Sequence, residues 1–145
     1  MIDKIKQTIK ELTDAVQEQA SSFGESAKEK GYQIIDDWLQ IFPKLELYKL
    51  EIVSFSLGVA ISPSLEVDLV GKHEDFSQER LQQILTEVKG NTALTLVFNT
   101  IKTTYNLHRK TYATLRDPLI VKIKIRISPE VRVFIGSPGF NDTLV

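Results

Sequence analysis

The chain has no cysteine, two histidines, one tryptophan and one methionine in 145 residues. Without cysteine there are no disulfides, thiolate zinc sites, iron–sulfur ligands or thiol nucleophile, a composition that suits a reducing compartment. An excess of one charge is lacking as well. Eighteen Lys and Arg face nineteen Asp and Glu, for a formal charge of −1, so no overall field draws the protein to nucleic acid or anionic lipid. No run of ~18 apolar residues occurs, so no membrane-spanning helix is read. The first residues are polar and amphipathic rather than a charged end followed by an apolar run, so no signal peptide is read either. The expectation is a cytoplasmic protein.

Motifs of catalysis and cofactor binding are also missing. Gly136-Ser137-Pro138-Gly139 precedes no helical pattern, and there is no Gly-Lys-Ser/Thr phosphate loop. Neither a Gly-x-Ser-x-Gly elbow nor a His-Glu-x-x-His pair is found. The reading therefore names no cofactor, no metal and no catalytic residue, and an enzyme would need side chains scattered through the chain. His73-Glu74-Asp75 offers three ligand types, but consecutive residues do not converge on one ion without a further contributor. It reads as a polar loop before a helix. His108 falls on the apolar side of a helix beside Tyr105 and Tyr112, where a half-buried, hydrogen-bonded ring is expected. Asp36 and Asp37 point about 100° apart on a helix and form no shared-proton dyad.

What is present is pattern. Apolar residues are 42% and charged residues 26%, the balance of a globular chain able to bury a core. Over residues 1–42 the positions Ile2, Ile5, Ile9, Leu12, Val16, Ala20, Phe23, Ala27, Ile34 and Trp38 recur at helical spacing. One straight rod of that length would reach about 60 Å, more than a small domain covers. Either it breaks, near 21–24 in preference to Gly31, or it projects and finds a partner. The more apolar second half is read as a core helix closed by Pro43.

Residues 43–140 have the pattern of an α+β core within a single domain, and from Leu45 the period changes to two, read as the approach to a strand. Leu50 to Ile61 alternates with a one-residue shift at Ile52/Val53 that implies a bulge, and Leu65, Val67 and Leu69 return after Ser62-Pro63-Ser64, giving a hairpin with one wet face. A helix capped by Asp75 or Ser77 buries Leu81, Ile84, Leu85 and Val88 and stops at Gly90-Asn91. A second helix is read from Ala93 to Arg116 with Leu94, Val97, Phe98, Ile101, Tyr105, His108, Tyr112 and Leu115 as its stripe, a strand at 92–99 being the alternative. Residues 119–127 and 131–135 form a second hairpin, and 141–145 a loose tail. The two hairpins align at Ile61-Ser62-Pro63 and Ile127-Ser128-Pro129. They are expected to form one four-stranded antiparallel sheet covered by helices, with an internal helix–hairpin duplication as one account of the likeness.

The outward residues of the second hairpin are Lys122, Lys124, Arg126 and Arg132; those of the first include Glu66 and Asp68. Cross-strand pairing explains the signs if the hairpins are neighbours; otherwise the cations form an anion-binding patch. Few aromatics are interleaved with them, which disfavours nucleic acid. The leading functional expectation is a non-enzymatic assembly module. It would bind a protein partner, or a second copy, through the stripe Ile2, Ile5, Ile9, Leu12, Val16 and Phe23, with Ala20, Ala27 and Gly31 allowing close approach. The alternative is a peripheral membrane protein lying in the headgroup region. Residues 1–42 carry five Lys and eight acidic side chains, the wrong balance for an anionic surface.

Overall fold

The computed structural model describes residues 25–138. The stripe from Ile2 to Phe23, the expected break at 21–24 and the tail 141–145 lie outside the described residues. Within them the order is helix α1 (Glu25–Leu39), short helix α2 (Phe42–Leu47), strands β1 (Glu51–Val59) and β2 (Pro63–Gly71), a 3-10 turn (His73–Phe76), helices α3 (Gln78–Glu87) and α4 (Thr92–Arg109), and strands β3 (Leu119–Ile125) and β4 (Glu130–Ile135). The strands form one antiparallel sheet in the order β1-β2-β3-β4. This is the α+β arrangement that the alternation and helical spacing predict. Each hairpin follows a helix pair, and the two Ser-Pro turns occupy matching places: Pro63 opens β2, and Pro129 directly precedes β4.

Alternation decides which side of the sheet is dry. Leu65, Val67 and Leu69 of β2 and Leu119, Val121, Ile123 and Ile125 of β3 are fully buried, each such side chain contributing about 1.5–3 kcal/mol. Helix α1 lays Ile35, Trp38 and Leu39 over these strands, and α4 packs on β4 with α3 beside it. Val53 is the extra residue of the bulge, where the β1–β2 register shifts between Ile52 and Ser54. Ser77 is the cap of α3, accepting from the Arg80 amide, and Asn91 caps α4 by accepting from Leu94.

Four local expectations are corrected. Helix α1 runs through Gly31 unbroken, because a residue without Cβ is needed there: a Cβ would stand 2.8 Å from Cδ of Pro63. Pro43 does not close a helix; it sits in the first turn of α2, where its missing N–H has no intrahelical partner to lose. Leu45–Leu47, read as the approach to the strand, belong to α2. Helix α4 ends at Arg109 rather than Arg116, although residues 92–99 are helical as first read and not the extended alternative. The Thr111 hydroxyl donates to the His108 carbonyl and accepts from the Ala113 amide, a side-chain substitute for the next helical turn. Tyr112 consequently has φ 58° and is 95% exposed, and Leu115 is exposed with it, so neither continues the buried stripe.

Candidate functional site

Three regions bear on function, and the titratable cluster is the first. His73, on the 3-10 turn, lines an open cleft of about 1060 Å³ with Glu46, Lys49, Glu51, Lys72 and Asp117 on its walls. Its Nε2 lies 2.6 Å from the Arg116 carbonyl oxygen and its Nδ1 2.6 Å from the Tyr105 hydroxyl. A carbonyl only accepts, so Nε2–H donates to it, and in the neutral ring Nδ1 then accepts from the phenol. Burial first, and the Asp117 carboxylate second, raise the Tyr105 pKa well above the tyrosine range, which keeps that phenol a donor. The Asp117 carboxylate stands 3.8 Å from Nε2. With both ring nitrogens engaged and the side chain 8% exposed, His73 has no lone pair turned to the cleft. It ties the 3-10 turn, α4 and the segment before β3 together. His108 is half-buried. Among the described residues no three His, Asp or Glu converge as a metal-binding group.

The second region is the polar face of the sheet. Register places Asp68 beside Lys122 and Lys122 beside Arg132, and it places Glu66 beside Lys124 and Lys124 beside Glu130. Lys124 Nζ is 3.6 Å from Glu66 Oε1, and the Arg132 guanidinium lies 5.5 Å from the Phe134 ring centroid. The hairpins are neighbours, so Lys122, Lys124 and Arg132 share their face with three carboxylates, and Arg126 follows in the turn after β3. Such exposed pairs contribute little stability, roughly 0–1 kcal/mol each. They do dilute the positive field that an anion would seek.

The third region was not singled out by motif, and it is the side of the sheet at β1. Ile52, Phe55, Leu57 and Val59 stand opposite Leu69, Val67, Leu65 and Pro63. Opposed residues of an antiparallel pair share a face, so these side chains look toward the helix side. Their partners on β2 are buried, yet Phe55 is 40% and Val59 38% exposed. Val53 at the bulge is 57% and Ile61 beyond the strand 65% exposed. The cause is the placing of the helices. Helix α1 packs on β2 and β3, α4 packs on β4, and short α2 packs on β1. The outward residues Ser54, Ser56 and Gly58 are small. Among the described residues β2 is the one strand paired with β1, so β1 turns half of its backbone N–H and C=O groups away from the sheet.

A signal for this region does stand in the sequence. From Ile52 to Leu65 there is no charged residue, whereas β2, β3 and β4 each carry charges at alternate positions. Edge strands are ordinarily blunted by Lys, Pro or covering loops. Of the residues expected to mediate contact, Ile2, Ile5, Ile9, Leu12, Val16 and Phe23 fall outside the described residues. Gly31, expected to admit a partner helix, admits Pro63 of its own chain instead. No family model matches the chain, and neither does any curated protein or solved structure compared with it.

Proposed function

We propose that this chain is a non-enzymatic protein-interaction module whose contact face is the open β1 side of the sheet. One observation carries the reading: Val53, Phe55 and Val59 form an exposed apolar series on a strand whose only charge is Glu51, and exposed Ile61 follows in the turn after it. Single exposed apolar residues are ordinary, but a contiguous series marks a surface that another molecule covers. The cleft beside His73 supports catalysis less well, since both ring nitrogens are already bonded. The amphipathic stripe of residues 1–20 is proposed as a second contact element of the same module. A membrane surface in place of a protein partner is distinguished by vesicle flotation, in which an interaction module stays in solution.

The test is the double variant Phe55→Lys/Val59→Lys. A contact face predicts a soluble protein with the wild-type circular dichroism spectrum, a melting temperature at monomeric dilution within a few degrees of wild type, and an association constant at least ~10-fold lower, about 1.4 kcal/mol. A variant that unfolds or aggregates would assign these side chains to the core of the fold and overturn the reading.

A further inference from the structure

Which molecule covers β1 follows from its chemistry and its regular length. Building on the interaction reading above, we infer that the occupant is a second copy of this chain, paired β1 to β1, antiparallel, about a two-fold axis normal to the sheet. The result is one continuous eight-stranded sheet with the helices of both copies on the same side.

Three observations lead there. Two-fold pairing sets a strand against itself, so every charge near the centre meets its own sign. From Ile52 to Leu65 there is none to meet. The second observation is register. The bulge at Val53 ends the regular ladder, which runs unshifted from Ser54 to Val59, and the middle of that run is Ser56 or Leu57. Centred on Ser56, the axis puts Phe55 against Leu57 of the partner on the helix side and Ser54 against the partner's Gly58 on the other. Centred on Leu57, it puts Phe55 against the partner's Val59. Either choice joins apolar to apolar on one face and small to small on the other. The third observation is the contrast between edges. Strand β4, the other edge, is six residues long, carries Glu130 and Arg132, and lies under α4. Strand β1 has nine residues, about 30 Å at ~3.3 Å per residue. It also has exposed apolar side chains that a neighbouring strand would cover.

The absence of cysteine makes the test direct. Residues opposed across an antiparallel pair have Cα atoms about 4.5–5.5 Å apart, inside the ~4.4–6.8 Å range that a disulfide spans. Ser56→Cys and Leu57→Cys are prepared separately in the full chain and exposed to a mild oxidant, with Leu107→Cys, at an exposed position of α4, as control. The expected result is a wild-type protein of twice the 16.5 kDa chain mass by light scattering, and a covalent dimer at one of the two β1 positions but not at Leu107. A wild-type protein that stays monomeric at every accessible concentration overturns the inference. The melting temperature of Phe55→Lys/Val59→Lys then decides the interaction reading by itself. A dimer that cross-links at neither position also overturns the inference, while its dissociation by the lysine variant would keep β1 as the contact face in another geometry.

Discussion

At the scale of single residues, the two histidines separate by what surrounds them rather than by their sequence neighbours. His73 stands in a polar run and His108 on an apolar stripe, so the sequence points to His108 as the hydrogen-bonded ring. The structure gives that role to His73, because Tyr105 and the Arg116 carbonyl reach it from 32 and 43 residues away. Long-range partners of this kind leave no local trace in a sequence. Tyr105→Phe leaves Nδ1 of His73 unpaired and is expected to cost about 1–2 kcal/mol in urea unfolding at neutral pH. The phenol holds its proton more tightly in the fold than in the unfolded chain, where tyrosine ionises near pH 10. Its contribution is therefore complete below pH ~10 and declines as the pH rises toward the folded value. The stability gap between wild type and Tyr105→Phe should narrow above pH ~10. A gap that widened there would contradict the assigned direction of the bond.

At the scale of elements, spacing was legible and termination was not. The alternation of residues 119–125, the bulge at Val53 and the Ser77 cap are written in a few adjacent residues, and all three stand in the structure. The end of α4 and the role of Pro43 depend on choices between local bonds that spacing does not rank. Thr111 takes the His108 carbonyl in place of a further turn, and Pro43 serves as readily in a first helical turn as after a last one. Gly31 shows the same ambiguity: a helix-weakening residue in the sequence, a point of close approach in the fold. Alanine there gains about 1 kcal/mol of helix propensity. Its Cβ, however, meets the rigid ring of Pro63 at 2.8 Å, and overpacking costs about 1–3 kcal/mol. A net loss of roughly 1 kcal/mol is expected for Gly31→Ala in urea unfolding, with recovery in Gly31→Ala/Pro63→Ala. An unaccompanied gain for the single variant would show that the helix shifts freely off β2.

At the scale of the whole molecule, the four strands and the helices among the described residues leave one flank of the sheet uncovered. The fold class was readable because periods of two and 3.6 are local properties of the chain. Which strand lay outermost was not, since strand order comes from how helices distribute over the sheet. The uncharged stretch from Ile52 to Leu65 was visible throughout, but it reads equally as a central strand until β1 is found at the edge. On the inference above, a second copy closes that edge. Hydrogen exchange of individual β1 amides, followed as the protein is diluted, measures this most directly. Closure by a second copy predicts that alternate amides between Ser54 and Val59, those turned away from β2, are protected when concentrated and exposed on dilution, while β2 and β3 amides stay unchanged. Outward β1 amides that exchange at the same fast rate at every concentration would contradict it.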